Sequence, residues 1–536
     1  MPLPVIPTAA LLALACLAVY KYIIQPAFFS PLSKLPNAHW SAPISSLWIL
    51  HHRHRETETP TTHAAHQKLG PVIRIAPNDV SVNTVDGGIR TIYAGGYEKG
   101  DWYKNIFSNY GVMPMFAMPE RGPHSRRKRM LSNVYAKSTL QNSESLRAIS
   151  HQLLDRRLMP DLKAMAACGK PVDFYYIFAA LTLDFVSSYI FGLSNGSDFL
   201  GDEQGRKKFF DDYKARQRYQ FWPQDLPRLT RFLGKMGLKW LVVPKWVDQA
   251  NNDIEAMIMW MCDGAEASLS GIPEDQQGPD KSAVETENWP TVYAQLRNAL
   301  LKETTTKCAD TKISISELVQ KQRLEMASEM LDHTLAGFDT SSITLTFYAW
   351  EISRPENAFW QKRLRAELHY INDIHDSKAL DALPILHATL METLRLHAAI
   401  PGNQPRITPA SATLGPPGHD LPNLPAGIRV QAQAWSLHRN PAVFPDPDRW
   451  CPARWLDASE AQLKEMQRWF WAFGSGGRMC VGSNLAVWDM KASIAAIWRG
   501  LRTEVRFAEG MVHRGGYVAE PVGKEGKYCV LGLEEI

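Results

Sequence analysis

The stretch FGSGGRMCVG at residues 473–482 decides the fold, because it places a lone cysteine between a glycine-rich loop and a helical pattern. Three of four successive positions in it are glycine, which has no Cβ atom, so the backbone can adopt positive φ and approach a flat cofactor closely. Cys480 then lies at a helix N-terminus, where unpaired N–H groups and the helix dipole stabilise a thiolate. Arg478 adds a positive charge nearby, and Phe473 adds an aromatic face. The pattern predicts a stabilised thiolate, the alternative being a buried cysteine that only packs against the loop.

The composition is that of a globular protein. The chain has 536 residues, of which 45% are hydrophobic and 21% charged, and such a chain can bury a large core. The net charge of +4 is small, and no basic block with interleaved aromatics predicts a nucleic-acid partner. The seven cysteines are scattered without a CxxC pair, which predicts reduced thiols in a body that faces the cytosol. The run HHRHR at 51–55 predicts a solvated basic surface rather than a metal site.

The N-terminus carries an uncharged apolar run. Residues 2–20 contain no charged side chain, and at about 1.5 Å per residue the stretch to Ile24 can cross a hydrocarbon layer of roughly 30 Å. A cleaved signal peptide is the alternative, because residues 13–15 (ALA) resemble a cleavage site. No Lys or Arg precedes the run, whereas Lys21 and Lys34 follow it. The positive-inside rule therefore predicts a single-pass anchor with the body on the cytoplasmic side.

Prolines after this run predict how the chain divides. Proline cannot continue a helix, and a proline-rich segment is a semi-rigid spacer; prolines stand at Pro26, Pro31 and Pro36. We predict three parts, namely a transmembrane anchor at 1–25, a proline-rich hinge at 26–40 and a catalytic domain at 41–536.

Hydrophobic periodicity predicts a mainly α body with small β-sheets. Two short strands separated by a turn are expected within 71–84 (PVIRIAPNDVSVNT). Short strands are also expected in the Pro/Gly-rich segment 400–435, and an exposed loop at 271–290. Helical patterns are predicted at 140–165, 174–193, 314–353, 379–397 and from about Val481 onward.

The segment AGFDTS at 336–341 lies in the middle of the long predicted helix. A glycine followed by hydroxyl residues is unfavourable there, and Thr340 can satisfy its hydroxyl by bonding the carbonyl four residues back, which bends the helix. The residues by themselves therefore favour a bent helix. Glu392 and Arg395, three residues apart, share one face of a later helix.

The spacing F-x-x-G-x-R-x-C-x-G at 473–482 resembles the haem-ligand signature of the cytochrome P450 family at every fixed position. The resemblance implies the mainly α fold of that family, with haem b (iron protoporphyrin IX) held by Cys480 as its proximal ligand. It also implies that Phe473 lies against the haem and that Arg478 binds a haem propionate. An axial thiolate favours O–O cleavage and hence monooxygenation.

The resemblance extends to the long helix. The hexapeptide 336–341 is similar to the family's Ala/Gly-Gly-x-Asp/Glu-Thr-Thr/Ser element, which lies over the distal face of the haem. This implies that Thr340 helps deliver protons to dioxygen and that Asp339 helps relay them.

A third element resembles the family's buried Glu-x-x-Arg triad. It implies a network of Glu392 and Arg395 with a second arginine, expected to be Arg454, with Arg449 as a candidate of less favourable spacing. The family commonly has Pro-Glu-Arg-Phe where this chain has Pro-Ala-Arg-Trp at 452–455. The change at Ala453 removes a charge and keeps the arginine.

Further propionate contacts are implied by weaker matches. His124 and Lys128 stand where many members carry Trp-x-x-x-Arg, and Lys donates as a point charge without the fork of Arg. Arg406 resembles another propionate clamp. The neighbouring Arg126, Arg127 and Arg129 are interpreted alternatively as a solvated basic face for an acidic reductase.

The run LHRNPAVFPDPDRW at 437–450 most resembles the filamentous-fungal branch that decorates secondary metabolites. This implies an NADPH-dependent monooxygenase at the endoplasmic reticulum that hydroxylates an apolar terpenoid, polyketide or alkaloid intermediate. A separate flavoprotein reductase is expected, because the chain shows no flavin or nicotinamide fingerprint. A haem-thiolate isomerase or dehydratase, or a non-catalytic haem-binding protein, is the alternative.

Overall fold

The computed structural model describes residues 5–270, 272, 278, 284–307, 315–418 and 420–536. Most of them are helical. The α-helices up to residue 269 are α1 (Val5–Val19), α2 (Leu47–His54), α3 (Glu58–Leu69), α4 (Asp101–Phe107), α5 (Arg121–Leu131), α6 (Lys137–Gln141), α7 (Glu144–Ser150), α8 (Met159–Ala167), α9 (Phe174–Phe191), α10 (Glu203–Gln217), α11 (Phe221–Asp225), α12 (Pro227–Lys235) and α13 (Lys245–Leu269).

The later α-helices are α14 (Thr291–Lys307), α15 (Ile315–Ser353), α16 (Ala358–His369), α17 (Ser377–Asp381), α18 (Pro384–Leu396), α19 (Ala434–Leu437), α20 (Ala453–Leu456), α21 (Glu460–Trp469) and α22 (Ser483–Gly500). The strands are β1 (Val72–Ala76), β2 (Asp79–Val82), β3 (Val172–Asp173), β4 (Arg406–Ile407), β5 (Ala412–Leu414), β6 (Leu421–Leu424), β7 (Arg429–Gln431), β8 (Leu501–Phe507) and β9 (Val530–Glu535).

The strands form three small sheets in the described part of the chain, in the orders β1-β2-β7-β4, β3-β9-β8 and β5-β6. β1 and β2 are antiparallel, with Val72 opposite Val82, whereas β2 and β7 run parallel. The two strands predicted within 71–84 and the short strands predicted within 400–435 are thus confirmed. The mainly α fold with small sheets is confirmed as well.

The core is built around α15, which packs along the mainly apolar α9. Nearly every residue of α9 is buried, so this helix is a core element although its length and hydropathy would also suit a membrane span. Gly337 allows the close approach of the two helices, since a Cβ atom there would lie 2.7 Å from Cγ2 of Val186. The mid-helix glycine therefore has a packing reason.

At the N-terminus, helical structure continues beyond α1 through the wider π-type turns Tyr20–Phe29. The prediction that Pro26 ends the helix is wrong, because a π turn shifts the backbone bonding from the fourth to the fifth preceding residue and so accommodates a proline ring. Ala9–Phe29 is long and apolar enough to cross a membrane, and none of it is buried against the body.

The segment that follows lies against the body. Leu32 is fully buried, and the backbone of residues 36–38 pairs with Arg74 of β1, whose N–H donates to the Pro36 carbonyl at 2.9 Å. The Arg74 guanidinium donates to the Pro26 carbonyl at 2.8 Å. The proline-rich segment is thus tied to β1 at both ends.

Two helical predictions need correction. The helix predicted at 379–397 is divided into α17 and α18, because Leu383 precedes Pro384 and adopts an extended conformation (φ −89°, ψ 105°). The helix predicted at 140–165 is interrupted where the Ser143 hydroxyl accepts from the Leu146 N–H and starts α7. Most of the loop predicted at 271–290 lies outside the described residues.

The basic run at 51–55 was expected to be solvated, and a solvated face was the alternative interpretation of Arg126, Arg127 and Arg129. Each of these interpretations is wrong at one residue. Arg53 is buried and pairs with Glu58, Asp79 and Asp225 at 3.1, 2.9 and 3.4 Å. Arg127 is buried and pairs with Glu329 at 3.1 Å. The carboxylates involved come from distant parts of the chain, so local sequence could not show them.

Candidate active site

A cavity of about 1010 Å³ lies between α15 and the loop before α22. Cys480 faces it from the loop, and Thr340 and Asp339 line it from the helix. Much of the remaining wall is apolar and is formed by side chains from several elements, among them Phe107, Phe116, Phe185, Leu331, Leu394 and Val518. The cavity thus combines one thiol, a polar helix face and an apolar chamber.

The loop at 473–482 places Cys480 at the bottom of the cavity. Gly474 and Gly476 have φ of +68° and +71°, and a Cβ atom on Gly476 would overlap the carbonyl of Tyr93. The N–H of Cys480 donates to the Phe473 carbonyl at 3.0 Å, which closes the loop. Glycine is therefore needed here for backbone conformation and for close packing.

The electrostatic environment of Cys480 is mixed. Burial raises the pKa of the thiol, while backbone N–H groups of Gly482 and Ser483 and the ammonium of Lys128 act in the opposite direction. Lys128 donates to the carbonyls of Gly477 and Met479 at 3.0 and 3.1 Å. The loop is thereby held from the side of α5.

Four cations gather on one wall of the cavity. Arg478 donates to the carbonyls of Met118 and Pro119, Arg406 donates to the hydroxyl of Tyr103, and Lys99 donates to the carbonyl of Phe116. The fourth cation is Lys128. Within the described ranges none of the four forms an ion pair with a carboxylate. The wall thus carries uncompensated positive charge.

The crowding of these cations changes their titration. Burial and the nearby Arg406 lower the pKa of Arg478 to about 10, and burial lowers the pKa of Lys99 well below its usual range. His124 lies on the same wall, and burial with the four cations lowers its pKa to about 3. His124 is therefore neutral, and the wall favours an anionic ligand.

The polar face of α15 is held by α10. The Asp339 carboxylate accepts from the Tyr213 hydroxyl and from the Gln217 amide, both at 3.2 Å, and burial raises its pKa to about 6. The Thr340 hydroxyl donates to the Ala336 carbonyl at 2.8 Å. Its lone pairs remain available to accept a hydrogen bond from the cavity.

Glu392 is fully buried and lies at the centre of a hydrogen-bonded network. Its carboxylate accepts two bonds of 2.8 Å from the Arg395 guanidinium and one of 3.0 Å from Arg454. The indole N–H of Trp455 donates a further bond at 3.0 Å. Arg449 contributes only its backbone carbonyl to Arg395. The second arginine is therefore Arg454.

Comparison with known proteins agrees with this geometry. Residues 284–509 match the family model described as Cytochrome P450. This part of the chain therefore carries a cytochrome P450 domain.

Among curated proteins, the chain is 27% identical over 438 residues to the cytochrome P450 monooxygenase avaI of Aspergillus versicolor, covering 78% of this chain and 92% of that protein. It is 26% identical to the tryprostatin B 6-hydroxylase of Aspergillus fumigatus, covering 91% and 78% of the two chains. It is also 26% identical to the cytochrome P450 monooxygenase stcB of Emericella nidulans, covering 89% and 83%. The chain is thus similar to cytochrome P450 monooxygenases of fungi, and these similarities support an oxidising role.

P450 enzymes carry a haem bound through a cysteine thiolate, act on small molecules and receive electrons from a redox partner. The residues that line the cavity fit a haem group. Cys480 supplies the thiol, and the wall of Lys99, Lys128, Arg406 and Arg478 matches the two propionates by charge. The close packing of Gly476 against the backbone of Tyr93 fixes the position of this loop beside the cavity.

Sequence reasoning missed two residues of this arrangement. Lys99 follows no recognisable motif, and its place on the cationic wall depends on the packing of the segment that leads into α4. Trp455 was noted only as a departure from the family pattern, yet its indole N–H binds Glu392. A donor at the position usually held by phenylalanine was the available signal.

Proposed function

We propose that this P450 is an NADPH-dependent monooxygenase that hydroxylates a hydrophobic secondary metabolite, with electrons delivered by a separate flavoprotein reductase. The observation that most supports this proposal is the position of Cys480. Among the described cysteines it alone lines the apolar cavity of about 1010 Å³, which Thr340 of α15 also lines. A largely apolar cavity of this size suits a terpenoid, polyketide or alkaloid intermediate. The hydroxylase among the relatives supports the reaction type.

The binding roles follow from the positions of the side chains. Cys480 is proposed as the iron ligand and Phe473 as the residue beside the ring, with Arg406, Arg478, His124 and Lys128 towards the propionates. When bound, a thiolate-ligated haem activates dioxygen and supplies the oxidising chemistry. The protein binds the haem, excludes water with the apolar wall of the cavity and delivers protons to the reaction.

Thr340 and Asp339 are proposed to move protons. Because the Thr340 hydroxyl donates to Ala336, it can accept a hydrogen bond from a water molecule in the cavity. The pKa of Asp339, raised to about 6 by burial, lets this carboxyl exchange protons near neutral pH. Tyr213 and Gln217 keep it oriented.

Replacing Thr340 with alanine should leave substrate binding and haem reduction nearly unchanged, because neither step needs the delivered proton. The ratio of product to NADPH consumed should fall about tenfold or more, a typical effect of losing a proton-transfer group. Electrons should leave as hydrogen peroxide. Measuring NADPH, peroxide and product together gives the ratio, and added peroxide should partly restore turnover.

Thr346→Ala is the matched control for Thr340→Ala. Thr346 makes the same bond to the carbonyl four residues back, at 2.7 Å to Ser342, and it is fully buried. If Thr340 only bends its helix, both variants should change stability and keep the coupling ratio. An unchanged ratio in Thr340→Ala would remove this residue from the catalytic proposal.

We also propose that the protein is a single-pass membrane protein of the endoplasmic reticulum, with its anchor near residues 1–25 and its catalytic domain on the cytoplasmic side. The exposed span Ala9–Phe29 supports the anchor. A second apolar surface supports contact of the body with lipid, and its exposed side chains are Leu229, Phe232, Met236, Trp240 and Leu241.

The two apolar surfaces are on neighbouring parts of the body. α11 precedes α12 and packs against α2, where the ring of His54 lies 5.0 Å from that of Phe221. α2 in turn follows the segment that leads out of the anchor. One membrane plane could therefore hold both.

Removal of residues 1–25 should convert the protein from an integral to a peripheral membrane protein and leave haem binding intact. Most of the apolar span Ala9–Phe29 is lost, whereas the motifs and the Pro26 carbonyl contact remain. Carbonate extraction should release the truncated protein and not the full chain. Adding Phe232→Glu and Trp240→Glu to the truncated protein should abolish its residual binding to vesicles.

The opposite results would count against these assignments. A truncated protein that resists carbonate extraction would place the anchor elsewhere, and one that cannot bind haem would contradict the division into anchor and body. Vesicle binding that survives the two charge substitutions would exclude the α12 surface as a lipid contact.

A further inference from the structure

The carboxylate of Asp332 in the cavity has no role in the proposed proton delivery or haem binding. Asp332 lies on α15 and lines the cavity. It precedes Ala336 by four residues and Thr340 by eight, so the three side chains share one face of the helix. Asp332 and Thr340 are therefore separated by about 12 Å along the helix axis.

The other carboxylates along this part of α15 have partners. Glu329 accepts from the Met115 N–H at 3.0 Å and from Arg127 at 3.1 Å, and Asp339 accepts from Tyr213 and Gln217. In the described ranges the Asp332 carboxylate makes neither a hydrogen bond nor an ion pair. It is partly accessible, and only from the side of the cavity.

The charged groups around Asp332 are occupied elsewhere. Lys99 donates to the Phe116 carbonyl, His333 is hydrogen-bonded to the Tyr135 hydroxyl at 2.8 Å, and Glu329 carries the same sign of charge. Burial raises the pKa of Asp332 to about 7, while His333 and Lys99 oppose that shift. A buried carboxylate without a partner is costly, and a bound cation would remove that cost.

Aromatic rings line the same cavity. Phe107 packs edge-on to Phe116 with centroids 4.9 Å apart, and Tyr517 lies 6.3 Å from Phe107. Tyr517 is also an electrostatic neighbour of Asp332. Aromatic faces next to a carboxylate favour an organic cation with an apolar body.

We propose that Asp332 binds a protonated or quaternary amine of the substrate, which narrows the substrate class from hydrophobic metabolites in general to hydrophobic amines. This inference rests on the proposed function. With the nitrogen at Asp332 and the reacting carbon beside Thr340, the two atoms would be on the order of 10 Å apart in the substrate. Asp332 is then a specificity-determining residue rather than a catalytic one.

The test compares two ligands of the same shape in the haem-loaded full chain. One is phenylbutyl-trimethylammonium, whose nitrogen has no lone pair and so cannot coordinate iron. The other is its neutral tert-butyl isostere. Equilibrium dialysis at about pH 8, where a carboxyl of pKa about 7 is mostly ionised, measures both dissociation constants without turnover.

The native protein should bind the cation about tenfold or more tightly than the isostere. Asp332→Asn should remove this preference by weakening the binding of the cation alone. Asp332→Glu should keep most of the preference. Asp248→Asn is the matched control, because Asp248 also lines the cavity but is paired with Lys239 at 2.7 Å. This control should keep the preference.

Three results would overturn the proposal. The native protein could bind both ligands with equal affinity, Asp332→Asn could weaken the binding of both ligands equally, or Asp248→Asn could lose as much of the preference for the cation as Asp332→Asn does. A failure of the proposed function can be distinguished from a failure of the Asp332 inference. If the cation preference is present but no substrate is oxidised with NADPH and a reductase, the monooxygenase proposal is wrong and Asp332 still binds amines. If oxidation proceeds without the preference, only the Asp332 inference is wrong.

Discussion

Cys480→Ala should abolish the red-shifted carbon-monoxide absorption band that thiolate-ligated ferrous haem shows. The expected loss is complete, because the band reports the sulfur ligand itself. Of the cysteines in the described residues, only Cys480 lines the cavity, so no neighbouring thiol is placed to replace it. The difference spectrum of the reduced protein with carbon monoxide measures the band directly.

Cys451→Ala is the matched control for this experiment. Cys451 lies close in sequence, and its backbone N–H donates to Glu392 at 2.8 Å, a bond that alanine retains. This variant should keep the band at full height. A band that persists in Cys480→Ala would contradict the proposed ligand and with it the central part of the proposed function.

Arg395→Ala should give little folded haem protein. Arg395 and Glu392 are both fully buried, and the guanidinium also donates to the carbonyls of His438 and Pro447 at 2.9 and 2.7 Å. Removing it leaves a buried carboxylate with less compensation and two carbonyls without their donor, which costs roughly 3–5 kcal/mol. The yield of haem protein and the free energy of unfolding in urea measure the effect.

An exposed Arg–Glu pair of the same spacing serves as a control that shows whether burial, rather than charge alone, sets the loss of stability. Arg468 and Glu465 are also three residues apart, but their side chains are 36% and 42% exposed. Arg468→Ala should change the free energy of unfolding by no more than about 1 kcal/mol. Similar losses in the two variants would show that burial does not set the strength of the Glu392 network.

The hexapeptide 336–341 shows how far local sequence reaches. Its residues favoured a bent helix with Thr340 bonded to the carbonyl four residues back, and that bond is present at 2.8 Å. The role of Thr340 in proton delivery remains a prediction until the coupling experiment. The reason for Gly337 was not readable, because Val186 reaches it from a helix some 150 residues earlier in the chain.

Charged residues were the least predictable part of the chain. Arg53 and Arg127 stand in basic runs that read as solvated surface, yet each is buried against carboxylates from other elements. Lys99 and Asp332 carried no local signal, although both face the cavity. A charge becomes buried, paired or unpaired through residues that are distant in sequence, and such partners leave no periodic pattern.

The sequence by itself determined the mainly α class, the two strands within 71–84, the apolar N-terminal span and the position of the cysteine loop, because these depend on short-range periodicity, proline and glycine positions and motif spacing. Only the tertiary structure decided which charges are buried, that Arg454 rather than Arg449 binds Glu392, and that Asp332 faces an apolar cavity without a partner among the described residues. Those outcomes depend on how helices from remote segments of the chain pack together. This packing sets the burial and the partners of each side chain, and neither can be read from the neighbouring sequence.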